Sequence, residues 1–282
     1  MSRSRDLPKL NVLASYAYLR GSKSFQDTLA NHRNINLLID SGAFTVASSG
    51  IKITTDEYAE FISAAKRWKC SLEGYFNLDV LQDAAGSLRN EKALRRRGLD
   101  PIPVLTRDQK PDELEPLYER SSYVACAGLT QGAGIRGRVK RACEVARGRK
   151  LHLLGCSRVS WLKAYKPYSA DSSRWTAGDR FSGVHIYMGN GRFDTREVNA
   201  RTKPLLPEQR DRLRHMGFDP WALQRKETYQ GGNSVAGDIT ACSWVHLSLD
   251  MEVKIGVKLF LAIGSASALT RLERFYEQAR KG

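Results

Sequence analysis

The sequence predicts an α/β fold of the (β/α)8 barrel type, formed as a single domain over residues 1–282 with a helical C-terminal elaboration. Apolar segments of strand length recur along the first two thirds of the chain, and helical patterns lie between many of them. Strands that alternate with helices pair in parallel, and about eight of them suit a closed barrel better than an open sheet. With 282 residues, of which 41% are hydrophobic, the chain is long enough for one sizeable core.

Eight segments are predicted as the barrel strands, which places the barrel core at about residues 10–190. In chain order they are LNVLASY (10–16), NLLIDSG (36–42), GYFNLDV (74–80), PIPVLT (101–106), YVACAGL (123–129), KLHLLGC (150–156), YSADSS (168–173) and GVHIYM (183–188). The helical patterns between them include residues 55–68, 84–98, 111–120 and 135–147.

The remaining chain, about residues 191–282, is predicted to pack around the barrel and complete its site. A polar, turn-rich stretch at 189–203 is followed by a helical pattern at 205–223, a turn segment at 229–237 and a terminal helix at 268–280. No internal repeat divides the sequence.

The net charge of +15 and the isoelectric point near 9.7 indicate a polyanionic partner, with nucleic acid first and a membrane surface second. Two arginine-rich helical segments, at 95–97 and 136–150, carry much of this charge, although each taken singly also fits a solvated helix face. The predicted nucleic-acid contacts are Arg136, Arg138, Lys163, Lys166 and Arg174.

The five scattered cysteines predict reduced thiols in a cytoplasmic protein. Cys242 and His246 have a metal-like spacing but lack two further ligands nearby, so no metal site is predicted. The apolar stretch VKLFLAIG (257–264) is too short, and too closely accompanied by Lys254 and Lys258, to span a bilayer.

Three predicted strands end in aspartates. Asp40 follows the apolar run LLI, Asp79 follows YFNL, and Asp171 follows YSA, while Gly128 and Gly155 lie at two further strand ends. Any one of these carboxylates fits a helix or turn cap. In a barrel, however, all strand ends meet at the catalytic rim. Grouped carboxylates in a basic protein suit cleavage of a glycosidic bond, because one can trap the cationic carbon while another protonates the leaving group.

The motifs at these strand ends resemble those of the tRNA-guanine transglycosylase superfamily. They are DSGAF (40–44), similar to D-S-G-G-F; NLD (77–79); AGLTQG (127–132), similar to G-G-L-x-x-G; HLLGCS (152–157), similar to Y-L-M-G-V-G; and YSADSS (168–173), in the place of F-D-C. The order and approximate spacing match over about residues 10–190, some two thirds of the chain.

The resemblance implies a barrel enzyme that exchanges guanine for a 7-deazaguanine base without net hydrolysis. Asp171 would be the nucleophile on C1′ of the sugar, and Asp40 the acid and base for the purines. Asp79 would hold the amine edge of the purine, with backbone groups of Gly128 and Leu129 on the same base. The remaining predicted substrate contacts are Ser41, Phe44 and Gly155; Phe44 fits base stacking and a core position equally well.

The sequence differs from the tRNA enzymes in three respects, which indicate a more specific resemblance. The chain is shorter, has no counterpart of their C-x-C-x-x-C…H zinc site, and carries Val104-Leu105-Thr106 where they have the base-reading I-V-Q-G strand end. It is most similar to the DpdA-type DNA 7-deazaguanine transglycosylases of phages and bacteria. The expected partners are therefore DNA and a free preQ0-like base, with no cofactor. Exchange in tRNA, a non-catalytic nucleic-acid-binding barrel and a hydrolytic glycosylase are the alternatives.

Overall fold

The computed structural model describes residues 7–43, 52–130, 133–177, 183–197, 203–225 and 235–281. The chain divides into two compact units. The barrel unit comprises Asn11–Ser172 and Gly256–Ala266, and the second unit comprises Met1–Leu10, Ser173–Ile255 and Ser267–Gly282.

The barrel unit is built on eight parallel strands, which confirms the predicted fold class. The strands are β1 (Leu10–Ser15), β2 (Ile35–Asp40), β3 (Ser71–Tyr75), β4 (Val104–Leu105), β5 (Tyr123–Cys126), β6 (Lys150–Leu153), β7 (Ser169–Ser172) and β10 (Lys258–Ile263). The sheet order is β3-β2-β1-β10-β7-β6-β5-β4. A parallel bridge between Phe76 and Ile102 joins the two ends of this order, just beyond β3 and before β4.

Helices alternate with these strands as the sequence predicts. They are α1 (Tyr16–Leu19), α2 (Lys23–Asn31), α3 (Thr55–Ala65), α4 (Ala84–Arg96), α5 (Leu114–Tyr118), α6 (Ile135–Ala146) and α7 (Val159–Tyr165). Local sequence sets where they begin. Thr54 accepts a hydrogen bond from the Glu57 amide at the start of α3, and Asp83 accepts one from the Gly86 amide at the start of α4. Such side-chain caps satisfy amides that have no partner within the first helical turn.

The prediction that GVHIYM is the eighth barrel strand is wrong. Its residues form β8 (Gly183–Gly189), which pairs antiparallel with β9 (Arg192–Glu197) in a separate two-stranded sheet. The cause is the turn between them, where Asn190 and Gly191 both have positive φ angles, 50° and 77°. An Asn-Gly pair of this kind forms a two-residue hairpin turn, which forces antiparallel pairing.

The segment that fills the eighth position is β10, which pairs in parallel with both β1 and β7. The barrel core therefore does not run continuously over residues 10–190. It stops at Ser172 and is completed by residues that the sequence assigns to the C-terminal elaboration. The apolar run LFLAI suits this position because both faces of a barrel strand are covered.

Apolar side chains from several strands fill the barrel, among them Leu13, Leu38, Phe76, Val104 and Phe260. At the amino-terminal end of the strands the interior is polar instead. Glu73 on β3 accepts hydrogen bonds from Lys258 Nζ at 2.6 Å, from Asn36 Nδ2 at 3.0 Å and from the Tyr168 hydroxyl. Burial alone would raise the pKa of Glu73, but these donors outweigh it and lower the pKa below its usual value. The carboxylate is therefore held charged inside the barrel.

The second unit contains the β8–β9 hairpin and the helices α8 (Pro207–His215), α9 (Val235–Asp250) and α10 (Ala266–Lys281). Short 3-10 turns lie at Arg174–Thr176 and Pro220–Gln224, and α9 continues into a π-helical turn at Met251–Ile255. The Trp244 indole donates a hydrogen bond to His185 Nδ1 at 3.1 Å, and Phe193 packs against both rings. Within the described ranges, no helix is long and apolar enough to cross a membrane.

Candidate active site

The structure brings the three predicted rim carboxylates into one electrostatic group. Asp40 is the last residue of β2, Asp79 lies four residues beyond β3, and Asp171 lies on β7. Burial is the largest cause of the raised pKa of both Asp40 and Asp79. In addition, the charge of Asp171 raises the pKa of Asp40, and the charge of Asp40 raises the pKa of Asp79. Like charges raise each other's pKa only at short range inside a protein. Residues that are far apart in sequence therefore form one acidic site at the carboxyl ends of the strands.

Asp171 is held by two hydrogen bonds to the same carboxylate oxygen. Oδ1 accepts the Gly155 amide at 2.7 Å and lies 3.1 Å from Nε2 of His152. Gly155 has a φ of +70°, and a Cβ there would lie 2.7 Å from the Thr130 methyl carbon, so the amide reaches the carboxylate only because no side chain is present. Oδ1 is thus occupied, while no hydrogen bond to Oδ2 is formed by the described residues.

Asp40 has a different environment. Its carboxylate accepts the Gly42 amide at 3.0 Å. Burial is the largest effect on its pKa and raises it, and the charge of Asp171 acts in the same direction. The buried Ser15 hydroxyl lies close enough to lower this pKa, yet it has no hydrogen bond of good geometry within the described ranges. The net result is a carboxyl group that holds a proton more readily than a solvated aspartate.

The pKa of Asp79 is strongly raised. Burial and the neighbouring charge of Asp40 raise its pKa to about 6, although the hydrogen bond from the Ser41 hydroxyl at 3.1 Å opposes the shift. Ser41 is fully buried and therefore holds Asp79 in one position. The site combines a firmly held Asp171 with two carboxyl groups whose proton affinity is increased.

The shift of Asp79 predicts a pH-dependent gain in stability when its charge is removed. A carboxyl pKa that is raised on folding costs stability above the unfolded value, 3.8, and the full cost is present above about pH 6. Asp79→Asn keeps an acceptor for Ser41 and removes the charge. We expect it to increase the free energy of unfolding at pH 7 by up to about 3 kcal/mol, with the gain shrinking as the pH falls from about 6 to about 4.

Urea unfolding of wild type and Asp79→Asn across this pH range measures the effect. Asp211→Asn, at an exposed aspartate of α8, is the matched control and should change stability by less than about 0.5 kcal/mol. A gain that is the same at pH 4 and pH 7 would contradict the buried-charge explanation.

The other predicted substrate residues differ in where the structure places them. Gly128 and Leu129 follow β5, and Leu129 is buried. Gly128 borders an open pocket of about 220 Å³ that also includes Arg107, Ala133, Gly134, Ile135 and Arg138. The three carboxylates do not line this pocket. Phe44 lies outside the described residues.

Arg138 has a structural role that the sequence does not predict. Its three guanidinium nitrogens each donate to a backbone carbonyl, those of Thr106, Gln109 and Ala127, at 2.6 to 3.0 Å. The side chain thereby ties the loop after β4 to the end of β5, next to Gly128. A guanidinium engaged in this way is less free to bind phosphate than its position in the sequence indicates.

The remaining predicted nucleic-acid contacts are exposed. Arg136 lies in the first turn of α6, Lys163 lies on α7, and Lys166 follows α7 with a positive φ of 43°. Arg174 is also exposed but belongs to the second unit. Much of the other helical charge is paired: Arg95, Arg97, Arg141, Arg147 and Arg149 all lie in ion pairs with carboxylates. The pairs of Arg97, Arg141 and Arg147 are exposed, and such pairs are weak and give way readily to a phosphate, whereas Arg95 is bound to the buried Glu91.

The partners of Asp171 are not predicted from the sequence. His152 is fully buried, as suits a residue inside an apolar strand, but its hydrogen bond to Asp171 is not anticipated. One feature of the sequence could have indicated these partners. Side chains alternate between the two faces of a strand, so Ser169 and Asp171 on β7 point to the same side. His152 is in register with Ser169, so three polar groups meet inside the barrel.

In the parts of the chain that are described, no group of three or more His, Cys, Asp or Glu side chains is arranged to hold a metal ion. Cys242 and His246 both lie on α9. Burial raises the pKa of Cys242 to about 12 and lowers that of His246 to about 4.

Comparisons with known proteins give few matches. No protein-family model matches the chain, and no curated protein matches it. Among solved structures, a GH10 xylanase from Thermobacillus composti aligns over 95% of this chain and 97% of its own, with 11% identity and a TM-score of 0.34.

Proposed function

We propose that the protein is a DNA-guanine transglycosylase, which exchanges guanine for a preQ0-like 7-deazaguanine through a covalent aspartyl intermediate. The observation that carries the proposal is the difference between the two central carboxyl groups. Asp171 accepts two N–H hydrogen bonds, whereas the pKa of Asp40 is raised by burial and by the charge of Asp171. Neighbouring carboxyl groups with divergent environments are the usual arrangement of a nucleophile and an acid.

The proposed reaction has two displacements at C1′ of the deoxyribose. In the first, Asp171 Oδ2 forms a bond to C1′ as the bond to guanine N9 breaks, and the departing purine takes both bonding electrons and a proton from Asp40. In the second, the 7-deazaguanine gives its N9 proton to Asp40, and N9 bonds to C1′ as the ester bond to Asp171 breaks. Both carboxyl groups return to their initial states, and no water is consumed.

Asp79 and the glycine loop support recognition of the base. As a carboxylate, Asp79 would accept hydrogen bonds from the N1–H and the amino group of a guanine-like ring. Its pKa of about 6 means that this form dominates at neutral pH. Backbone groups of Gly128 and Leu129 would contact the same ring. Ser41 fixes Asp79 through its 3.1 Å hydrogen bond.

The polymer is proposed to be DNA because the motifs D-S-G-A-F (40–44) and S-A-D-S-S (169–173) are more similar to those of the DNA enzymes than to those of the tRNA enzymes. The net charge of +15 supports a nucleic-acid substrate in general. To reach the rim, the target nucleotide would leave the base stack, and exposed cations such as Arg136 and Lys163 would bind the flanking phosphates. We infer a cytoplasmic location, since DNA is the proposed substrate and five scattered cysteines, odd in number, are typical of a protein with reduced thiols.

The test is incubation of the protein with radiolabelled preQ0 and either duplex DNA or tRNA. We expect label to enter the DNA and an equal amount of guanine to be released. Label in tRNA alone would overturn the choice of polymer. Abasic sites without label would indicate a hydrolytic glycosylase. Binding of both polymers without any label or base loss would support a non-catalytic barrel.

A further inference from the structure

The proposed nucleophile is the end of a continuous chain of buried polar groups. The Tyr123 hydroxyl lies 2.7 Å from the Ser169 hydroxyl, which lies 2.8 Å from Nδ1 of His152. Nε2 of the same imidazole lies 3.1 Å from Oδ1 of Asp171. The chain crosses the barrel interior through β5, β7 and β6. His152 and Ser169 have no solvent exposure, and Tyr123 has 7%, so water does not compete for these hydrogen bonds.

The chemistry of the partners assigns the direction of each hydrogen bond. A carboxylate oxygen only accepts, so Nε2 of His152 must carry the proton that faces Asp171. In the neutral imidazole Nδ1 is then an acceptor, and the Ser169 hydroxyl donates to it. The Ser169 oxygen is left to accept from Tyr123, whose hydroxyl stays protonated because burial raises its pKa. All three bonds therefore point toward Asp171.

We propose that His152 is a positioning residue whose Nε2–H fixes Oδ1 of Asp171 and leaves Oδ2 to attack C1′, while the hydrogen bond from Ser169, supported by Tyr123, holds the ring through Nδ1. The catalytic part of this inference rests on the proposed function, whereas the tautomer does not. Rings on either side hold the imidazole in place, with the ring centres of Phe76 and Phe260 at 5.0 and 6.1 Å. A packed ring with both nitrogens bound has one orientation.

The arrangement has a clear role in a displacement reaction. One carboxylate oxygen must point at C1′ along the line of the breaking bond, and rotation of the carboxylate removes that alignment. The Gly155 amide and the His152 N–H bind the same oxygen, so together they oppose this rotation. Misalignment of a reacting atom by about 1 Å costs roughly 100-fold in rate.

Two substitutions at position 152 separate positioning from packing. In His152→Gln, the amide nitrogen occupies the place of Nε2 and still donates to Asp171. In His152→Asn, the shorter amide occupies the place of Nδ1, so it contacts Ser169 and does not reach Asp171. We expect kcat to fall about 10- to 100-fold in His152→Asn and by less than about 10-fold in His152→Gln, with KM for both substrates within about 3-fold of wild type.

His215→Asn, at an exposed histidine of α8, is the control and should have wild-type kinetics. Equal losses of kcat in the Gln and Asn variants, or a rise in KM at constant kcat, would overturn the positioning role. If His152→Asn does not fold, the comparison of His152→Gln with Ser169→Ala remains. Ser169→Ala removes the hydrogen bond that holds the ring through Nδ1, so we expect its kcat to fall further than that of His152→Gln, and the reverse order would overturn the proposal.

Nitrogen-15 NMR of histidine-labelled protein tests the tautomer without any assay of activity. We expect the His152 ring to have a protonated Nε2 and an unprotonated Nδ1 in wild type. Ser169→Ala should keep this tautomer, because the Asp171 carboxylate still requires the Nε2 proton, but its Nδ1 resonance should shift because the hydrogen bond from Ser169 is lost. A protonated Nδ1 with a bare Nε2 in wild type would overturn the inference. A single Nε2–H tautomer in a protein that exchanges no base would instead count against the proposed function alone.

Discussion

Asp171→Asn is expected to abolish base exchange and to produce the largest loss of activity of any single substitution in this protein. The amide has nearly the shape of the carboxylate, but it cannot form the ester bond to C1′. Removal of a nucleophile that forms a covalent intermediate costs about 10⁴-fold or more in kcat. DNA binding should change little, because the proposed contacts to phosphate lie elsewhere. The measurement is label exchange together with denaturing electrophoresis, which detects the covalent protein–DNA adduct.

Asp211→Asn is the matched control, since its carboxylate is exposed on α8 in a surface pair with Arg214. It should retain the wild-type rate and form the adduct. If the adduct persists in Asp171→Asn, Asp171 is not the nucleophile. If exchange is lost but the wild-type adduct is never found, the covalent route itself is in question.

Lys258→Met is expected to have the largest effect on stability. Lys258 Nζ lies 2.6 Å from Oε2 of Glu73, whose side chain is only 10% exposed. Methionine fills a similar volume but leaves the buried carboxylate without its cation. We expect the free energy of unfolding at pH 7 to fall by about 3 kcal/mol, the lower end of the range for a broken buried pair, because Lys258 retains 23% exposure. Urea unfolding measures the change.

The effect should depend on pH in a defined direction. The pKa of Glu73 is lowered on folding, so the stabilisation by its donors is complete above the unfolded value of 4.5 and is lost as the pH falls below it. The difference between wild type and Lys258→Met should therefore narrow in acid. A difference that stays constant down to about pH 3 would show that lost packing, not the unpaired charge, is responsible.

Two controls accompany this prediction. Lys254→Met removes an exposed lysine that pairs with Asp250 at 2.9 Å, and it should cost less than about 1 kcal/mol. The double variant Glu73→Gln with Lys258→Met should be more stable than Lys258→Met alone, because no buried charge is then left unpaired. A double variant that is less stable than either single variant would contradict this account of the polar network.

The barrel fold could be predicted from the sequence because the patterns that indicate strands and helices are local. A buried strand appears as a short apolar run and a helix as a 3.6-residue period, and both are visible without any knowledge of partners. The positions of Asp40, Asp79 and Asp171 at one end of the sheet follow from the same pattern, since parallel strands all end on one side. The missed eighth strand had a local signal as well, because the Asn190-Gly191 pair is typical of a hairpin turn.

The partners of the site residues could be found only in the tertiary structure. Ser169 lies 46 residues from Tyr123 and 17 from His152, and Glu73 lies 185 residues from Lys258. Each of these contacts depends on strand register and on the direction of a side chain inside the barrel, which no local pattern encodes. The raised pKa of Asp40 likewise arises from burial and from the charge of Asp171, and that of Asp79 arises from burial and from the charge of Asp40. The sequence by itself thus determined which residues lie at the ends of the strands. Only the tertiary structure decided which of these residues contact each other, because burial and the interaction of charges arise once distant segments are packed together.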